Sequence, residues 1–261
     1  MQFTFNKFVH LSTMANENEK SEWFEEWFNT PFYHVLYQDR NEEEAEHFVT
    51  KLVDYLQIEN NKTILDLACG KGRHAVFLNK KGLNVVGADL SVNSIADAKK
   101  YENDDLRFIV HDMREIIAGH RFDYVFNLFT SFGYFDTQKD NLKVLKSVHE
   151  MLNDGGKVII DFLNIYKVVA NLVKKEVKTI DGIVFNITRE FDGKHILKTI
   201  SFGHTGQSYS YTERVQGLNK EDFEKLLEKS NFKVEAIFGD FNLNEYHAET
   251  SDRLILIASK K

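Results

Sequence analysis

The chain has 261 residues, enough for one large domain or for one domain carrying a sizeable insertion. Hydrophobic residues make up 43% and charged residues 28%, which suits a folded core, while a formal charge of -7 argues against a general electrostatic grip on nucleic acid or anionic lipid. One cysteine, Cys69, rules out an intrachain disulfide, and no run approaches the roughly 18 to 20 apolar residues that span a bilayer, so a cytoplasmic protein is expected.

The first twenty residues lack the apolar core of a secretory signal, and Met14 is a candidate internal start. An aromatic lead-in runs from Ser21 to Tyr37, and its Trp23, Phe24, Trp27 and Phe28 are expected to pack a helix against the rest of the protein. Asn41 can cap the next helix, Glu42, Glu43 and Glu44 suit its positive end, and Ala45, Phe48, Val49, Leu52, Val53 and Leu56 form an apolar stripe at helical spacing. From Thr63 to about Asn164, apolar runs alternate with helical patterns. The runs are Thr63–Ala68, Asn84–Asp89, Leu106–His111, Phe122–Leu128 and Lys157–Phe162; Ala75–Lys81, Val92–Lys100 and Asn141–Leu152 read as helices. Gly82 suits the end of the first of these helices, and Ser91 can cap the second. Continuous apolar strands between helices predict an α/β fold with a parallel sheet covered on both faces.

Beyond Lys178 the texture changes. Lys178–Ile180, Ile183–Phe191, His195–Phe202 and Gln207–Val215 are β-rich, separated by Asp181-Gly182, Asp192-Gly193 and Gly203–Gly206. Three hairpin turns joining about four antiparallel strands are expected, with type I′ geometry at the Asp-Gly pairs. On the last of these strands Tyr209, Tyr211 and Glu213 share one face, opposite Ser210, Thr212 and Arg214. Asn219 then caps a helix through Lys229, and Lys233–Asp240 and Arg253–Ser259 return to the first sheet. The expected organisation is an N-terminal aromatic-rich helical segment over residues 1–57, a core of 58–164 and 216–261, and an antiparallel β insertion of 165–215 that interrupts that core.

The chemistry concentrates in Asp66-Leu67-Ala68-Cys69-Gly70-Lys71-Gly72-Arg73-His74, a glycine-rich turn between a strand and a helix. Gly70 and Gly72 permit close approach of a ligand, and the helix N-terminus offers N–H groups to an anion. Alone the loop is ambiguous, because Gly70-Lys71-Gly72-Arg73-His74-Ala75 also fits a dinucleotide fingerprint. Asp89 ends the second strand nineteen residues beyond Gly70, where a carboxylate can take both hydroxyls of a ribose. Asp66, before the glycines, suits an amino group, and Asp112 ends the third strand, where it can accept from an adenine amine. Three carboxylates at three consecutive strand ends suit a cationic nucleoside and would repel a diphosphate.

With these residues in place, the stretch Thr63 to Asn164 resembles a class I S-adenosylmethionine-dependent methyltransferase domain, in the small-molecule-type branch with a DLxCGxGRH loop. The resemblance implies a Rossmann-like seven-stranded, mostly parallel sheet whose last strand runs antiparallel, with the insertion and the aromatic lead-in forming a lid. It implies S-adenosyl-L-methionine as cofactor, with Asp66, Gly70 and Gly72 at the methionine part, Asp89 at the ribose, Asp112 and Met113 around the adenine, Leu128 lining the pocket, and Ala68 and Leu90 also among the cofactor-binding residues. The resemblance also makes Tyr33 and Arg40 of the lead-in candidates for reaching the cofactor's carboxylate, and the phenolic rings of Tyr33 and Tyr37 can shield a sulfonium by cation–π contact.

Cys69 reads as a packing residue and His74 as a structural one; no side chain is assigned a catalytic role, and no metal is expected. After the fourth strand comes Asn127-Leu128-Phe129-Thr130-Ser131 rather than the Asn/Asp-Pro-Pro-Tyr/Phe run of enzymes that methylate base amines. Together with the acidic balance this favours a small-molecule acceptor over nucleic acid, with Tyr134 and Phe135 walling its pocket. A non-catalytic S-adenosylmethionine sensor and, behind it, an NAD(P)-dependent oxidoreductase are the competing functions.

Overall fold

The computed structural model describes residues 22–38 and 41–261, so Arg40 and the Met1–Lys20 segment with its candidate start at Met14 lie outside the described residues.

Eight α-helices, one short 3-10 helix (Lys99–Tyr101) and eleven strands follow one another along the described residues. The aromatic lead-in folds as two short helices, α1 (Trp23–Phe28) and α2 (Pro31–Leu36). The break has a local cause: Thr30 turns its side chain back to accept from the Tyr33 N–H, and Pro31 occupies the first helical position, where its missing N–H costs nothing. Asn41 caps α3 (Glu42–Leu56) by accepting from the Glu44 N–H, as its sequence pattern predicts.

Strands β1 (Thr63–Leu67), β2 (Asn84–Asp89), β3 (Leu106–Val110), β4 (Phe122–Asn127), β5 (Leu152–Leu163), β10 (Phe232–Phe238) and β11 (Arg253–Lys260) form one sheet in the order β10-β11-β5-β4-β1-β2-β3. Only β11 runs against its neighbours, pairing antiparallel with both β10 and β5. The expected Rossmann-like sheet with an antiparallel last strand is therefore present. Helices α4 (Arg73–Lys80) and α5 (Val92–Ala98) pack with α3 on one face, around Phe48, Phe77, Phe108 and Phe126. Helices α6 (Gln138–Met151) and α8 (Lys220–Lys229) cover the other, around Val148, Met151, Phe162 and Phe223. Ser91 caps α5, and Asn219 caps α8 in a reciprocal box with Asp222.

Between β5 and α8 lie a short helix, α7 (Ile165–Ala170), and a second sheet of β6 (Lys175–Ile180), β7 (Ile183–Phe191), β8 (His195–His204) and β9 (Gln207–Gln216), paired antiparallel in sequence order. Helix α7 has no counterpart in the sequence pattern. Asp181 and Gly182 both take positive φ, as a type I′ turn requires. The second turn differs from expectation: Gly193 alone is left-handed, and Asp192 accepts from the Lys194 and His195 N–H groups, which makes a three-residue connection. A third apolar cluster joins this sheet to the lead-in helices, with Trp27 and Leu36 against Phe185, Ile187, Ile200 and Phe202.

Candidate active site

A cleft of about 400 Å3 opens at the carboxyl ends of β1, β2, β3 and β4. It lies where the strand order reverses, β1 leading on one side to β2 and β3 and β4 on the other to β5, the place where open α/β sheets bind ligands. Backbone strain gathers at the same edge. Ala68 (φ 62°) follows β1, and Phe129 (φ 59°) and Thr130 (φ 60°) follow β4, all left-handed without being glycine. Each costs about 1–2 kcal/mol unless neighbours hold it.

The loop after β1 is held by β2. The Cys69 N–H donates to the Ala88 carbonyl at 3.0 Å, and the Gly70 N–H donates to Asp89 Oδ2 at 2.8 Å. Asp89 Oδ1 accepts from the Ser91 N–H at 2.8 Å, so one carboxylate fixes both the glycine loop and the start of α5. The two loop glycines have different jobs. Gly70 borders the cleft, and a Cβ there would meet no atom within 4 Å. Gly72 is buried at the start of α4, where a Cβ would come within 2.4 Å of the Phe108 ring; it serves packing and does not line the cleft.

Asp66 also departs from its expected place. It is 1% exposed, behind the loop, and its Oδ2 accepts from the Ala75 N–H at 3.0 Å inside the first turn of α4. Burial, with Asp89 nearby, pushes its carboxyl up to about 7 despite that hydrogen bond. The sequence gives an acidic residue at a strand end but not its χ angles, and here the side chain turns to the helix rather than to the cleft. Cys69 is buried, and burial beside two carboxylates pushes its thiol well up, so it packs as a protonated side chain. His74 is likewise buried, 5.1 Å from the Phe129 ring.

Ala68, Gly70, Asp89, Leu90, Asp112, Met113, Leu128 and Tyr33 all border the cleft, so eight of the sequence-predicted cofactor residues are brought together. Asp112 is not idle there: Arg114 grips its carboxylate, from Nε at 3.1 and 3.0 Å and from Nη2 at 2.6 Å, and holds it below the usual carboxylate range. The roof comes from α1 and α2, with Phe24, Phe28, Tyr33 and Tyr37 facing Tyr134 and Phe135. Helix α1 is stitched down where Ser91 Oγ donates to Asn29 Oδ1 and Asn93 Nδ2 donates to the Asn29 carbonyl, both at 2.8 Å. Sequence reasoning gave no site role to Asn29, Ser91 or Phe129; for the first, Thr30-Pro31, which starts a second helix just after it, is a local signal that could have been used.

A buried polar joint lies behind Tyr37. Its hydroxyl donates to Glu213 at 2.6 and 2.7 Å, Lys198 Nζ donates to the same hydroxyl, and Trp27 Nε1 donates to Glu213 Oε1 at 2.8 Å. Burial and Glu213 push the Tyr37 phenol well above its ordinary range, so it is neutral. Tyr211 stacks on Trp27 at 4.5 Å, and Tyr209 packs on Phe32 at 4.9 Å. The Tyr209, Tyr211 and Glu213 face of β9 thus meets the lead-in helices, not the cleft.

The donor set fits S-adenosylmethionine. A backbone cradle open at Gly70, carboxylates Asp89 and Asp112 on adjoining strand ends, and an aromatic roof suit a cationic nucleoside, and no helix among the described residues is long and apolar enough to cross a membrane. Comparison with known proteins agrees. Residues 64–156 match the family model of a methyltransferase domain. A putative methyltransferase of Bacillus subtilis (strain 168), YqeM, is 30% identical over 207 residues, covering 76% of this chain and 83% of that protein. Glycine/sarcosine N-methyltransferase of Aphanothece halophytica is 26% identical over 265 residues, covering 94% and 91%. The solved sugar N-methyltransferase KedS8 from Streptoalloteichus sp. ATCC 53650 superposes with a TM-score of 0.69 over 98% of this chain and all of that one, at 16% identity, a likeness of fold. These matches set aside the dinucleotide reading of the loop and the oxidoreductase that went with it. From sheet order, cleft and relatives together, the chain belongs to the class I S-adenosylmethionine-dependent methyltransferases.

Proposed function

We propose that this methyltransferase acts on a small-molecule acceptor held between the Gly70 loop and the roof made by α1 and α2. The observation that carries this reading is enclosure. A cleft of about 400 Å3 under helices pinned at Asn29 and at Glu213 is of small-ligand size, and a polynucleotide would have to displace both helices to reach it. The formal charge of -7 supports the same conclusion. So does the company of relatives named for glycine and sarcosine and for a sugar.

S-adenosylmethionine, when bound, supplies a methyl group already activated on a sulfonium. In this reading Ala68, Gly70, Asp89, Leu90, Asp112, Met113, Leu128 and Tyr33 hold it: the loop backbone permits close approach, Asp89 receives the ribose hydroxyls, and Met113 and Leu128 flank the flat apolar part. The lead-in helices α1 and α2, backed by the 165–215 insertion, work as a lid over a core of 58–164 and 216–261. The rings that border the cleft, Phe24, Phe28, Tyr33 and Tyr37 from the lid and Tyr134 and Phe135 from the core, exclude water and align the acceptor, which is most of what an in-line methyl transfer asks of a protein. Tyr37, kept neutral, offers its ring to the cleft while its hydroxyl stays with Glu213.

The test is transfer of radiolabelled methyl from S-adenosylmethionine to fractionated metabolite pools and, in parallel, to tRNA. Label in a low-mass fraction is expected; label in tRNA alone would overturn the acceptor class, and no transfer to any pool would favour a cofactor sensor.

A further inference from the structure

Arg114 joins the wall of the cleft to its roof. Its backbone N–H donates to Asp112 Oδ1 at 2.8 Å, and its Nε and Nη2 close a fork on both oxygens of that carboxylate. The adjacent edge of the same guanidinium takes Glu22, the residue just before α1, with Nη1 to Oε1 at 3.1 Å and Nη2 to Oε2 at 2.7 Å. Its flat face lies 4.7 Å from the centroid of Phe135, which in turn meets Phe24 of α1 edge-on at 5.6 Å. The side chain is 18% exposed, against 26% for Asp112 and 34% for Glu22, so the cluster is largely withdrawn from water.

Two carboxylates share one planar cation, and only an arginine has two donor edges in one plane to serve them. Asp112 borders the cleft, whereas Glu22 does not, so the bridge runs from a ligand-facing residue to the root of the roof helix. A ligand that presses on Asp112 therefore acts on α1 through a rigid plane rather than through flexible side chains.

We propose that Arg114 is a positioning residue for cofactor binding: it fixes the Asp112 carboxylate on the cleft wall and, through Glu22, holds α1 down over that end of the cleft. The proposal rests on the assignment of Asp112 to the cofactor. Binding and roof closure are then linked, and each strengthens the other by the same factor.

The test measures binding of S-adenosylmethionine by calorimetry, and hydrogen exchange of the α1 amides with and without it, in the full chain and in Glu22→Gln, Arg114→Lys and Asp112→Asn. In the parent chain the cofactor is expected to slow exchange across Trp23–Phe28. Glu22→Gln and Arg114→Lys are expected to bind roughly threefold to tenfold more weakly, with most of that cofactor-dependent protection gone and the unfolding temperature of the free protein little changed. Arg114→Lys keeps the charge and loses the fork, so weakened binding there identifies geometry rather than net charge as the agent. Parent-like binding and parent-like α1 protection in both variants would overturn the proposal. Asp112→Asn separates the two levels: if it binds like the parent chain, the site assignment itself falls, and if it binds weakly while the other two are normal, only the role of Arg114 falls.

Discussion

Gly70 and Gly72 are interchangeable in the sequence and not in the structure, and substitution separates them. Alanine at Gly70 must accept φ +56° but meets no atom within 4 Å; alanine at Gly72 must accept φ +81° and drives its Cβ into the Phe108 ring. Gly72→Ala is expected to lose about 2–4 kcal/mol in urea unfolding, while Gly70→Ala loses about 1 kcal/mol and instead weakens S-adenosylmethionine binding more than roughly tenfold. A stability loss as large at Gly70 as at Gly72 would contradict the division of labour. Asp66 carries a pH signature. Its folded carboxyl titrates near 7, against 3.8 for the ordinary group, so between those values the folded chain holds a proton that the unfolded chain has released. The contribution is thus fully present below about pH 4 and is lost as pH rises through about 7, at a limiting slope of about 1.4 kcal/mol per pH unit. Asp66→Asn is expected to flatten the dependence of unfolding temperature on pH between 5 and 8 in the ligand-free protein; an unchanged slope would count against it. Residue types at the strand ends and in the loops after them were legible from the sequence, and seven of them converge on the cleft with Tyr33 of α2. What each position faces was not, because the Asp66 side chain is directed by the N–H of Ala75 and the space at Gly72 is taken by a ring thirty-six residues along the chain.

At the scale of elements, α1 and α2 are six residues each, too short to persist alone, and their stability is borrowed from β8 and β9. The loan runs through Glu213, which takes Trp27 and Tyr37, and through Lys198, 3.5 Å from it, with side chains only 13% and 16% exposed. Removing one member strands the other: Glu213→Leu leaves an ammonium that burial already holds below its ordinary range, and a loss of about 3–5 kcal/mol is expected. Lys198→Met combined with Glu213→Leu should recover much of that loss, so a double-mutant cycle by thermal unfolding checks the coupling; additive losses would show that the pair is not a unit. The alternation that places Tyr209, Tyr211 and Glu213 on one face was legible, as were the strands and their hairpin order, because period and turn residues are local. The partner of that face was not, since Tyr37 and Glu213 lie 176 positions apart and no local pattern couples them. The lead-in, read as one helix, is split in the structure by Thr30-Pro31, a local signal, whereas α7 carries no periodic stripe to announce it.

For the whole molecule, the described residues hold three apolar clusters, two on the faces of the seven-stranded sheet and a third shared between the lead-in helices and the four-stranded sheet. That third cluster belongs to neither sequence segment alone: Trp27 and Leu36 come from one, and Phe185, Ile187, Ile200 and Phe202 from the other, more than 140 residues later. Elements that share a core open together, so the roof helices and the inserted sheet are expected to exchange their amides as one cooperative unit, at lower free energy than β1, β4 and β5 in the middle of the large sheet. Phe185, fully buried on β7 and packed on Phe202, is the place to test this. Phe185→Ala deletes a ring from the shared cluster at a cost of about 3–5 kcal/mol. If the unit is cooperative, native-state hydrogen exchange should speed up in Trp23–Phe28 and Pro31–Leu36 as much as in β7 and β8, although none of those helical residues has been altered. Protection in β1 and β4 should stay near its parent value. Exchange that accelerates in β7 and β8 alone would mean that the roof is held by its own contacts to Ser91 and Arg114, and that the insertion is a neighbour of the lid rather than half of it.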